Sequence, residues 1–295
     1  MGYSARYHAA SLAAVFLALA VGILIGVGFG SDIVTGTAED LEESLASDLE
    51  QARADVDELE AELDAERSFE EDLYPTVVGD VLRGQRIAVV GLGGLSEATV
   101  AAVEDAVDPS GASVGEIAVV RLPPDLDALA TTLGGRDARE LARGDADQVG
   151  AFGVDAASTL LRAGPRFDEL RGTLLSRYSG LAAGIDAVVL TRQRPDDLEP
   201  EEEEEAAAAD ALEDGLVEGF RLLGFPAVGA ELGGTDPSTV GFFAERGLST
   251  VDSVDRLSGK VALVYALCGA SGDFGVKETA DALIPELLAS PCSGN

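Results

Sequence analysis

Residues 9–31 (AASLAAVFLALAVGILIGVGFGS) contain no charged side chain, although 25% of the chain is charged. Nothing else in the sequence constrains the fold so strongly. A helix crosses the roughly 30 Å hydrocarbon layer of a bilayer with about 20 residues at 1.5 Å each. The run is therefore predicted to be a single transmembrane helix, in contact with the lipid bilayer over 9–31, with residues 1–8 as a short tip. Arg6 precedes the run and Asp32 is the first charge after it. The positive-inside rule places the tip in the cytoplasm and the bulk of the chain outside it. The competing reading is a cleaved signal peptide, with Gly28 and Gly30 as small residues before a cut at Ser31. Its apolar core would exceed the usual 7–15 or so residues of such peptides.

Charge narrows the choice of partner. Fifty-four acids face 20 bases, a formal net charge of −34. Such a field repels phosphate backbones and anionic lipid surfaces, so nucleic acid is not an expected partner. Inside the span, Gly22, Gly26 and Gly30 recur every fourth residue and share one helix face, where a second backbone approaches closely. Beyond it, residues 38–73 lack Gly and Pro. There, Leu45, Leu49, Ala52, Val56, Leu59 and Leu63 alternate steps of four and three, the seam of a coiled coil. Glu66 and Glu70 interrupt the next seam positions. We expect a parallel homodimer, with residues 32–75 as a stalk whose Gly- and Pro-free part is about 50 Å long at 1.5 Å per residue. A single amphipathic helix lying on its own domain is the alternative, since three heptads are marginal in isolation.

After Pro75 and Gly79–Gly84 the texture changes. Short apolar runs at 86–90, 115–120, 185–191, 226–228 and 261–267 read as strands. Segments 96–107, 126–133, 155–161, 167–178 and 201–223 have helical spacing. Strands apolar on both faces require helices on both sides of a sheet. Residues 80–295 are thus expected to form an extracytoplasmic three-layer, mostly parallel α/β domain of the Rossmann/flavodoxin-like kind.

The loop after the first strand, Gly91-Leu-Gly-Gly94, does not make a nucleotide site. A dinucleotide fingerprint needs G-x-G-x-x-G and a later acid for the ribose, whereas this chain has Ser96 at the third position and Arg121 after the second strand. No cofactor is evident. His8, the only histidine, lies on the short side of the span, so a histidine-based metal cage or catalytic dyad is excluded outside it. The acidic run 201–205 follows Pro200 at a helix start, where acids complement the helix dipole. Cys268 and Cys292 are candidates for a disulfide, but spacing alone does not show that they meet. No catalytic constellation stands out, and the chain does not read as an enzyme.

Two blocks carry a resemblance. Arg6-Tyr7-His8 runs into Ser11-Leu-Ala-Ala-Val-Phe-Leu-Ala-Leu-Ala-Val-Gly22 and then the heptads. Near the other end come Leu248-Ser-Thr-Val-Asp-Ser-Val-Asp255, Ser258-Gly259-Lys-Val-Ala-Leu-Val264 and Gly272-Asp-Phe-Gly275. Together they resemble the actinobacterial MctB-like family, labelled copper transport outer membrane protein. The resemblance marks Arg6, Tyr7, His8, Thr250, Asp252, Asp255 and Gly259 as family-motif positions. It implies a cell-envelope protein of copper homeostasis or transport, with copper as its metal. Copper(I) selects thiolates and thioethers, with imidazole as second choice. Outside the span only Cys268 and Cys292 are soft-ligand candidates. The alternative function is a non-enzymatic envelope scaffold whose head recruits an envelope protein of the cell-wall or division machinery.

Overall fold

The computed structural model describes residues 4–134, 141–162, 164–181, 183–193 and 203–286. Cys292 and the start of the acidic run lie outside them, and the side chains of 4–6 and 28–43 are not described. The chain divides into two compact units, Met1–Ser68 and Phe69–Asn295.

The described residues of the first unit all lie in α1 (Ser4–Val78), which carries one segment long and apolar enough to cross a membrane, Tyr7–Val27. Gly22 and Gly26 have open space where a Cβ would stand. Leu45, Leu49, Val56, Leu59 and Leu63 are each about half exposed, so the single chain leaves their common stripe uncovered. The helix does not stop at Pro75, where the sequence reading ended it. Its last turn belongs to the second unit, because Tyr74 and Val78 are buried there. The Tyr74 hydroxyl donates to the Ala106 carbonyl at 2.6 Å. Burial, and secondarily the charge of Asp105, holds its pKa well above the usual phenol value. Tyr265 donates from the other side to Val77 O at 3.0 Å.

The second unit is a seven-stranded sheet: β1 (Arg86–Leu92), β2 (Ser113–Val120), β3 (Leu175–Gly180), β4 (Ala187–Arg192), β5 (Ala227–Ala230), β6 (Ser249–Val251) and β7 (Asp273–Phe274). The order is β3-β2-β1-β4-β5-β6-β7, and every pairing is parallel except that of β3 with β2. The order in which the chain lays down its strands therefore reverses between β1 and β4, which are themselves parallel neighbours. On β1, Ala88, Val90 and Leu92 enter one core while Ile87 and Val89 enter the other. The first core is closed by α3 (Leu126–Leu133), α4 (Ala146–Leu160), α5 (Pro165–Leu174), α6 (Glu203–Leu222) and α7 (Val240–Ala244). The second is closed by α2 (Glu97–Val107), α8 (Leu257–Leu267) and the end of α1. Burial on both faces explains why the strands are continuously apolar rather than alternating.

Two expectations are corrected. Residues 261–267 form most of helix α8, not a strand. Every residue from Val261 to Leu267 is buried, so the helix has no polar face and its period is invisible. Residues 167–178 split instead of forming one helix: α5 ends at Leu174 and β3 begins at Leu175, pairing antiparallel along Val119 and Ala118.

β2 also carries a buried carboxyl. Glu116 is 1% exposed, and neither of its carboxyl oxygens has a hydrogen-bond partner among the described residues. Burial pushes its pKa up to about 7, partly offset by the charge of Arg86. A raised carboxyl pKa means that the folded state holds the proton more tightly than the unfolded one. Stability from this group is therefore fully present below about pH 4.5, falls as pH rises, and is lost above about pH 7. Glu116→Gln should flatten that part of the pH–stability profile. It should stabilise the protein at pH 8 by on the order of 2 kcal/mol relative to wild type, while changing little at pH 4.5. Urea midpoints across that range measure the difference.

Candidate functional site

The loops at the carboxyl ends of β5, β6 and β7 are tied together by buried acids. Glu231, directly after β5, is 3% exposed. Its Oε1 accepts from Lys277 Nζ at 2.6 Å and from Ser238 Oγ at 2.7 Å. Its Oε2 accepts from the Thr239 hydroxyl at 2.9 Å and from the backbone N–H groups of Thr239 and Val240 at 2.5 and 3.2 Å. Lys277 donates also to Thr235 O at 2.7 Å. Asp252, after β6, receives the N–H groups of Val276 and Lys277, both at 2.9 Å. Gly275, at φ +143°, makes this wrap possible, because a Cβ there would lie 2.1 Å from the Asp252 carboxylate.

The motif residues of this region thus come together as a frame. Thr250 donates from its hydroxyl to Asp273 Oδ1 at 2.6 Å, linking β6 to β7. Asp255 accepts from Gly233 N at 2.7 Å, linking the loop after β5 to the start of α8. Gly259 lets α8 press on the turn behind β6, since a Cβ would stand 2.2 Å from Ser253 O. Ser253 itself sits at φ 55°. Sequence reasoning missed Glu231 and Lys277. The available signal was compositional: Lys277 is one of only two lysines in an arginine-rich chain.

Beside this frame lies a crevice of about 690 Å³ at the carboxyl ends of β1, β4 and β5. It spans the reversal between β1 and β4, the position at which open α/β sheets bind ligands. The Gly91–Gly94 loop leads into α2, whose cap Ser96 accepts from Thr99 N at 3.0 Å. Arg192 enters from β4, held by a bidentate pair with buried Glu213 at 2.9 and 3.0 Å and lying 4.4 Å over Phe242.

The other sequence candidates are dispersed. Tyr7 and His8 are exposed on α1. Cys268, expected at a strand end, caps α8 and is disulfide-bonded. The sequence holds one other cysteine, Cys292. Oxidised, Cys268 offers no thiolate to a metal. Among the described residues no group of three or more His, Cys, Asp or Glu side chains is placed to hold a metal ion.

Fold and span define a class: a parallel α/β domain in a chain with an N-terminal apolar helix of membrane-crossing length. The chain belongs to the family described as "Copper transport outer membrane protein, MctB", whose model matches residues 3–285. It is 32% identical over 111 residues to proteins named "Copper transporter MctB" from Mycobacterium tuberculosis (strain ATCC 25618 / H37Rv) and Mycobacterium bovis. That match covers 38% of this chain and spans about a third (35%) of the relatives' length.

The frame yields a stability prediction. Lys277→Met leaves the Glu231 carboxylate buried without its cation and should cost about 3–5 kcal/mol. Glu231→Gln in the same chain should restore much of the loss, because the uncompensated charge is then gone. Comparing urea midpoints of both single variants and the double variant measures the coupling.

Proposed function

We propose that this chain is a membrane-anchored envelope protein of copper homeostasis, with its α/β head outside the cytoplasm and its short N-terminal tip inside. The family match over 3–285, together with relatives named copper transporters, carries the copper reading. The apolar segment Tyr7–Val27 and the position of Arg6 before it support the topology. The protein is not an enzyme in this reading. It acts on copper through assembly with other envelope components rather than by holding the ion itself, which accords with the oxidised state of Cys268. Deleting the gene should make cells more sensitive to copper, while the purified full-length protein retains less than one copper(I) per chain in metal analysis. Stoichiometric copper lost on Cys268→Ser would overturn the indirect role, and unchanged copper tolerance the homeostasis role.

The second reading is an envelope scaffold that recruits a partner of the cell-wall or division machinery. The uncovered stripe from Leu45 to Leu63 favours an assembled state under either reading. A parallel homodimer joined through that stripe and the Gly22, Gly26 and Gly30 face is the assembly we propose. Replacing Leu49, Val56 and Leu63 together with Asp should halve the mass of the detergent-solubilised protein in light scattering. It should leave the cooperative unfolding of the head unchanged, because the head has its own two cores. An unchanged mass rules out the stripe as the interface.

A further inference from the structure

The uncovered apolar stripe on α1 is flanked by charges as regularly spaced as the stripe itself. Leu49, Val56 and Leu63 share one seam position, and Leu45, Ala52 and Leu59 share the other. The residues just before the first set read Asp48, Asp55 and Glu62. Those just after the second read Ala46, Arg53 and Glu60, and the same spacing continues to Arg67. All of these side chains are exposed. Between Leu45 and Ser68 nine acids stand against two bases, and both bases fall on the second flank, two heptads apart. Arg53 makes no ion pair within the chain among the described residues, although Glu50 and Asp57 lie about a turn away on either side. Arg67 reaches Asp64 at 3.4 Å, with the two side chains 70% and 76% exposed.

Those flanks decide what fits over the stripe. In a parallel pair of helices in register, each first-flank residue faces the second-flank residue five positions further along its partner. A second copy therefore sets Asp48 against the partner's Arg53 and Glu62 against the partner's Arg67, each twice by symmetry. Asp55 against the partner's Glu60 is a mismatch. In an antiparallel pair the first flank faces its own counterpart, which puts acid against acid at Asp48, Asp55 and Glu62. An unrelated acidic helix satisfies the two arginines and repels the first flank; a basic helix does the reverse.

We propose that these flanking charges select a second copy of the chain, parallel and in register, as the occupant of the stripe, and that the Asp55–Glu60 mismatch keeps the pairing reversible. The proposal rests on the homodimer reading above and adds the residues that fix its direction and strength. Direction is tested in detergent, where no membrane aligns the chains, by oxidising a mixture of full-length Leu45→Cys and Leu63→Cys proteins, one carrying a mass tag. Cross-links should form within each variant and not between them. Sedimentation equilibrium reads the strength. Arg53→Glu with Arg67→Glu should weaken self-association at least about tenfold, and so should Asp48→Arg with Glu62→Arg. Mixing those two proteins should restore a dimer holding one chain of each. Glu60→Arg turns the mismatch into a match and should tighten self-association by up to about tenfold. Glu58→Arg, the same change of charge on the outer face, should have a much smaller effect. Cross-links between the two cysteine variants, no recovery in the mixture, or equal effects at Glu60 and Glu58 would overturn the selection by charge. If the mass still halves on replacing Leu49, Val56 and Leu63 with Asp, only this selection falls; an unchanged mass removes the homodimer as well.

Discussion

The carboxyl edge of the sheet depends on one buried ion pair. Glu231 and Lys277 are 46 residues apart in the chain, yet they meet at 2.6 Å with 3% and 19% of their side chains exposed. Taking both charges out of water is expensive, and the pair is tolerable because every remaining lone pair of Glu231 is filled by hydroxyl or backbone donors. The geometry has long reach. Lys277 can meet Glu231 only if the segment after β7 folds back over Asp252, and that fold needs Gly275 bare of a side chain. β6 and β7, three and two residues long, are too short to hold their places by ladder bonds alone. The acids behind them locate them instead.

Much of this architecture was legible in the sequence, because burial on both faces imposes unbroken apolar strands. The runs at 86–90, 115–120 and 185–191 lie within β1, β2 and near β4, and Ser96 caps α2 as its residue type requires. What stayed hidden follows from the same physics. An all-round buried helix such as α8 has no polar face, so 261–267 looks like a strand. β6 and β7 are recognised by what their ends bind, not by composition. The motif residues Thr250, Asp252, Asp255 and Gly259 were visible as a block but not as a frame, since spacing along the chain does not show that Asp273, Val276 and Gly233 are the partners of the first three. The Gly91–Gly94 loop was legible only as a sequence lacking the nucleotide fingerprint; that Gly94 borders a crevice together with Thr191 and Arg192 depends on packing.

Cys268 shows how position alters chemical meaning. As a soft ligand at the end of a strand it would be the obvious metal donor in a chain with a single histidine. As the cap of α8 in a disulfide it belongs to the framework of the second core, alongside Tyr265, which grips the last turn of α1.

The two borders of the sheet have a consequence for life in a crowded envelope. An open border invites another chain to add a strand and so seeds aggregation. One border here, β7, offers two residues. The other, β3, turns Ser176, Arg177 and Ser179 toward solvent or the sheet rim and runs counter to its neighbours, with an irregular register beside Val120. A short border and a polar, kinked one are poor templates for strand addition. Self-association through the sheet is thereby discouraged in the head, while most of the exposed large apolar side chains among the described residues lie on α1.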